Sequence, residues 1–179
     1  KRQNISINDP KGVLSTRLGS GLILPYWDGD ATTSPAPYAE HFYLGGGSDV
    51  RGWRSRHLGP YVCQTDVICS TNTESVFNGT QLNRDIIPTG GTASLFGTIE
   101  FRRYWVDGYG LAAFADLGMV WDLPSNIDLR ELNLSIGSGF RYKSPIGPLR
   151  LDLARRLDQP TYFAEESLWN VHFAFAESF

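Results

Sequence analysis

Leu132-Asn133-Leu134-Ser135-Ile136-Gly137-Ser138-Gly139-Phe140-Arg141-Tyr142-Lys143 alternates without a break. Leu132, Leu134, Ile136, Ser138, Phe140 and Tyr142 fall on one side, and Asn133, Ser135, Gly137, Gly139, Arg141 and Lys143 on the other. A period of two marks a β-strand, because successive side chains point to opposite faces. The whole run, 130–143, exceeds the mean soluble strand of about five or six residues and reaches the roughly 9–11 needed to cross a bilayer.

The same period extends to both sides. Residues 109–121 set Tyr109, Leu111, Ala113, Ala115, Leu117, Met119 and Trp121 against Gly110, Ala112, Phe114, Asp116, Gly118 and Val120. Residues 92–103 set Ala93, Leu95, Gly97, Ile99 and Phe101 against Thr92, Ser94, Phe96, Thr98, Glu100 and Arg102. Downstream, 149–157 places Leu149, Leu151, Leu153 and Leu157 opposite Arg150, Asp152, Ala154 and Arg156, with Arg155 interrupting the apolar side. The last run, 168–179, sets Trp169, Val171, Phe173, Phe175 and Phe179 against Asn170, His172, Ala174, Ala176 and Ser178. Residues 13–24 read as a further strand with imperfect alternation. The gaps at 104–108, 122–129 and 144–148 are short, as antiparallel neighbours require. Six such strands, with a remnant at 1–8 as a seventh, fall short of the eight or more of a single-chain bacterial barrel. The expected fold is therefore all-β, a transmembrane antiparallel β-barrel of which this chain is one part.

Composition agrees with strands and tight turns: aromatics make up 13% and there are 19 glycines. No stretch of 18 apolar residues occurs, which excludes a transmembrane helix and leaves a barrel open. The formal net charge of -3 offers no basis for a nucleic-acid partner. Aromatics near strand ends (Tyr104, Trp105, Tyr109, Trp121, Tyr142, Trp169) favour a membrane-interface belt over the alternative of a soluble β-sandwich or lipocalin-like barrel. Cys63 and Cys69 lie in a polar, turn-rich stretch and read as a short disulfide, with two unpaired thiols as the alternative. The histidines His41, His57 and His172 are widely separated, so no metal site is expected. The start, Lys1-Arg2-Gln3-Asn4, lacks the apolar core of a signal peptide, so a leader has been removed or the chain begins inside a longer protein.

Between 25 and 90 the alternation fails, and Gly, Pro, Ser, Thr, Asn and Asp dominate. A connection of that length needs a functional reason. It contains Phe42-Tyr43-Leu44-Gly45-Gly46-Gly47-Ser48-Asp49-Val50-Arg51-Gly52-Trp53 and then Leu58-Gly59-Pro60. If it folds back into a barrel, Arg51 enters a confined space and needs a carboxylate partner. Glu100 and Asp116 occupy the inward faces of adjacent strands and are the physically sensible partners. A carboxylate set of Glu100, Asp116 and Asp152 is better explained by pairing with Arg51, Arg102, Arg141 or Arg150 than as reactive groups. With no Gly-x-Ser-x-Gly elbow and no compact metal cluster, no catalytic residues and no cofactor are expected.

The Val50-Arg51-Gly52-Trp53 segment resembles the Val/Ile-Arg-Gly-aromatic motif on the long sixth extracellular loop of the BamA/TamA superfamily of outer-membrane assembly factors. Four further segments follow in the family's order: Ser94–Phe101, Phe114–Gly118, Ser144–Asp152 and the terminal Phe173–Phe179. The resemblance covers about residues 38–179 and implies a 16-stranded barrel, with this chain roughly its last six strands and 25–90 a loop entering the lumen. It further implies that Arg51, Gly52 and Trp53 lock onto Glu100 and Asp116, and that Phe173, Phe175 and Phe179 form a terminal signal at an openable seam. Trp53 stands where the family more often has Phe or Tyr, residues 61–89 look like an insertion, and Glu177-Ser178 departs from the usual residues before the final aromatic.

The function so implied is assembly and insertion of β-barrel proteins into the outer membrane. The implied partners are outer-membrane lipids, nascent β-barrel clients and periplasmic or lipoprotein assembly partners. The alternatives are a related exporter of one secreted partner, a passive barrel, or a soluble binding module.

Overall fold

The computed structural model describes residues 12–24, 36–63, 86–105, 108–144, 147–157 and 167–175. The readings placed on 1–8, on Cys69 and the side chain of Cys63, and on Phe179 lie outside the described residues. The described strands are β1 (Gly12–Leu22), β2 (Tyr61–Cys63), β3 (Ile86–Pro88), β4 (Ala93–Tyr104), β5 (Tyr109–Trp121), β6 (Asn133–Ser144), β7 (Gly147–Arg156) and β8 (Trp169–Phe175). Six of them form one antiparallel sheet in the order β1-β4-β5-β6-β7-β8, while β2 and β3 pair separately within the long connection.

The period-two runs become these strands with small shifts at their ends. β5 covers 109–121, as the alternation predicts. β6 begins only at Asn133, because Leu129–Glu131 forms a turn of 3-10 helix held by the Asp128 carboxylate, which accepts from the Arg130 amide at 2.9 Å. A side-chain oxygen competing for a backbone N–H two residues on is the ordinary way Asp halts an extended run.

The register puts matching faces together. Thr98 pairs with Asp116, Asp116 with Ser135, Arg141 with Arg150, and Asp152 with His172, so the polar residues of successive strands share one face. That polar face is the buried one: Glu100, Asp116, Asp152 and Ser135 are each fully enclosed. The apolar face is the exposed one, with Leu18 78%, Phe173 70%, Leu14 68% and Val171 66% accessible. A soluble sheet has the opposite arrangement, because apolar surface gains about 25 cal/mol per Å² by leaving water.

The main apolar cluster among the described residues instead joins the connection to the sheet. Leu44, Val50, Trp53 and Leu58 cluster with Val120 of β5, and Phe42, Tyr61, Phe96 and Met119 pack around them. The segment is folded by its own bridges, Leu44 with Leu58 and Phe42 with Gly91, and by the Gly46 amide donating to the Trp53 carbonyl at 3.0 Å. Gly45 and Gly46 both hold φ near +105° and +104°, which a residue with a Cβ rarely adopts, so the sharp turn there depends on glycine. Residues 47–53 are thereby carried to the polar face of the sheet.

The sheet must curve around them. Four strand spacings separate β4 from β8, about 19 Å in a flat sheet, yet residue 51 bonds to β4, β5, β7 and β8 together. A single residue reaches all four only if the sheet is concave.

The aromatics divide by position. Tyr109 stacks on Tyr142 at 4.7 Å between centroids, on the outer face near one end of the sheet. Trp121 departs from the interface-belt reading: it is buried, and its indole N–H donates to Glu131 at 3.0 Å, so it anchors the β5–β6 connection instead.

Candidate functional site

Arg51 stands at the tip of the excursion, 3% exposed, with its guanidinium spread over three carboxylates from three strands. Nε and Nη2 donate to the two oxygens of Asp116 at 2.8 and 2.7 Å, a bidentate fork, and the Arg51 amide adds a bond to the same carboxylate at 3.1 Å. Nη1 donates to Glu100 at 2.6 Å and to Asp152 at 3.4 Å. The planar cation lies over the Phe114 ring, 3.3 Å from its centroid. A guanidinium offers five donors in a fixed fork, so one residue can satisfy several acids at set angles where lysine could not.

The receiving carboxylates are themselves held. Glu100 also accepts from Arg102 Nε at 2.7 Å and Arg141 Nη2 at 2.9 Å. Asp152 accepts from Arg141 and lies 3.2 Å from Arg150 Nε. Asp116 differs, because the bonds it accepts among the described residues all come from Arg51. Burial alone would lower the Arg51 pKa, but the hydrogen bonds and charge of Asp116, then of Glu100, outweigh it and hold the guanidinium above its ordinary value. The cation is therefore permanent, and the cluster is an ion-pair network whose carboxylates are occupied by arginines.

Glycines make the room. A Cβ on Gly139 would overlap the Asp152 carboxylate and the Arg141 guanidinium, and one on Gly137 would strike the Phe114 ring. Beside Arg51, a Cβ on Gly52 would collide with the Ser135 side chain and come within 3.1 Å of the Arg156 backbone. The Gly52 amide donates to Ser135 Oγ at 3.2 Å. Trp53 is 2% exposed and receives the Arg156 guanidinium at 5.0 Å from its ring centroid.

The structure thus brings Arg51, Gly52, Trp53, Glu100 and Asp116 into one site. Phe173 and Phe175 are elsewhere, exposed on the outer face of β8. Residues that sequence reasoning did not assign to the site complete it. In the sequence Asp152 stands as one of several acids, Ser135 as a small inward residue, and Asn170 and His172 as polar alternation. Asn170 donates to the Gly52 carbonyl, and His172 lies 2.8 Å from the Arg51 carbonyl. The available signal was positional: all four lie on the face that carries Glu100 and Asp116.

The chain matches the Omp85 superfamily domain over residues 2–179. It is 30% identical over 153 residues to the outer membrane protein assembly factor BamA of Nitratidesulfovibrio vulgaris, a stretch that covers 84% of this chain and 16% of that protein. Its fold is similar to the crystal structure of BamA from Haemophilus ducreyi lacking POTRA domains 1-3, with a TM-score of 0.61 and 18% identity over 91% of this chain and 30% of that one. The chain therefore spans less than a third of the length of either relative.

Proposed function

Because the chain belongs to the Omp85 superfamily, we propose that it is the C-terminal portion of an outer-membrane β-barrel, roughly the last six strands of a 16-stranded one, that assembles and inserts β-barrel proteins into the outer membrane. The observation that carries this reading is the inverted polarity of the sheet, with Glu100, Asp116 and Asp152 enclosed on one face and Leu18, Val171 and Phe173 bare on the other. A bare apolar face on strands of 10–13 residues suits lipid, which every second side chain of a membrane strand must meet.

Residues 25–90 then form an extracellular loop whose tip enters the lumen, and the Arg51 network is the lock that holds it there. A tip that fills the concave face opposes a passive open pore. Strand β8 lies at the edge of the described sheet, where it would meet the first strand of the barrel. A weak seam there exposes backbone donors and acceptors that can template an incoming strand. The proposed partners are outer-membrane lipids, nascent β-barrel clients and periplasmic or lipoprotein assembly partners.

The test is a cysteine pair joining the last strand of the full parent protein to its first strand, reconstituted in vesicles. Closing that disulfide should stop insertion of a β-barrel client, and reduction should restore it. Unchanged insertion with the disulfide closed rejects the seam.

A further inference from the structure

The inner face of β8 carries Asn170, His172 and Ala174, and the outer face Trp169, Val171, Phe173 and Phe175. Alternation specifies such a strand only to within even shifts. A one-residue slip would turn the aromatics inward, but a two-residue slip keeps every apolar side chain outside. Among the described strands β8 pairs with β7 alone, so a single neighbour offers it a ladder.

Two side-chain contacts remove that degeneracy. Asn170 Nδ2 donates to the Gly52 carbonyl, and His172 Nε2 lies 2.8 Å from the Arg51 carbonyl. A carbonyl can only accept, so that ring nitrogen carries the proton. Both carbonyls belong to buried residues, and no other donor reaches either among the described residues. The imidazole also packs against Gly47, where a Cβ would come within 3.3 Å of the His172 Cβ.

We infer that Asn170 and His172 are the register-determining residues of β8, and that they read the main chain of the loop tip. A shift of two residues one way sets Ala174 at the Arg51 carbonyl, and the other way sets Leu168 at the Gly52 carbonyl. Neither side chain has a donor, so either shift leaves a buried carbonyl unpaired, which is the costly half of losing a hydrogen bond. The device is independent of the Arg51 charge because it uses backbone oxygens. It rests on the reading of the connection as a docked loop.

Disulfide trapping in the full parent protein in outer-membrane vesicles tests it, with Cys63 and Cys69 replaced by serine. Leu153→Cys with Val171→Cys reports the observed register, while Leu153→Cys with Trp169→Cys or Phe173→Cys reports shifts of two. With Asn170 and His172 intact, the 153–171 bond should dominate. Asn170→Ala with His172→Ala should raise the shifted products at least about fivefold, whereas His172→Gln, which keeps an N–H donor, should retain the observed register. Unchanged 153–171 trapping in the double alanine variant overturns the inference. Where that variant does not fold, equal trapping in His172→Leu and His172→Gln overturns it in the same way. A separate Arg17→Cys, Asp49→Cys pair, joined by a short bismaleimide that spans the gap left by the Arg17 side chain, reports the docked loop itself. If that cross-link forms while the register stays insensitive, only the register inference falls; if it does not form, the docked-loop reading falls with it.

Discussion

The two faces of the one sheet are held by opposite physics. On the inner face, Glu100, Asp116 and Asp152 lose water completely and recover it only as arginine hydrogen bonds. On the outer face, Leu14, Leu18, Val171 and Phe173 have no partner layer of protein over them. Specificity therefore resides inside, where Arg51 and Arg141 donate to particular carboxylates, while the outside needs only the right kind of surface. Side chains outside should tolerate exchange among apolar types, and side chains inside should not.

The largest effect should come from removing the cation of the inner face. Arg51→Ala leaves Asp116 buried with no cation and only the residue-51 amide as a donor, and should cost about 3–5 kcal/mol, read as a lower urea midpoint for the parent protein in vesicles. Adding Asp116→Asn should recover part of that loss, and strict additivity of the two changes would show that they do not interact. A charge placed on the outer face comes next. Ile136→Arg, at a position 45% exposed, should cost about 2–4 kcal/mol near the bilayer midplane, and full tolerance of it would break the comparison by making that face a water-exposed one. Gly52→Ala, which forces a Cβ onto Ser135, should cost about 1–3 kcal/mol and loosen the tip, seen as faster proteolysis of the connection. Smallest is Asp49→Ala. Its pair with Arg17 at 3.2 Å is about a quarter exposed on each side, and its loss should cost under about 1 kcal/mol.

Much of this was legible in the residues. The alternation at 109–121 marked β5 to its ends, and the even-numbered positions of β4 and β5 pointed to Glu100 and Asp116 as partners for a buried arginine. What alternation cannot convey is where an irregular segment comes to rest. Leu44, Val50, Trp53 and Leu58 follow no period, so their shared cluster was invisible, and with it the position of residues 51 and 52 over β6 and β8. Ser135, Asn170 and His172 were seen on the correct face but looked like ordinary polar alternation. Gly137 and Gly139 read as small inward residues suited to a hydrated lumen, whereas the space they leave is taken by the Phe114 ring and by the Asp152–Arg141 pair. Arg155, which broke the apolar run, lies with its guanidinium 5.6 Å from the Trp169 ring centroid, a contact that lets a charged head sit on an apolar face.

Residue 51 joins Asp116 across 65 positions, Asp152 across 101 and His172 across 121. In a chain made from its N-terminus, residue 51 therefore emerges before the carboxylates that pair its guanidinium, the last of them on β7, and its carbonyl meets its donor only with β8. A nascent or truncated chain lacking β8 holds a tip that cannot be fully seated, so the long reach of one arginine delays the closing of the site until the whole sheet exists.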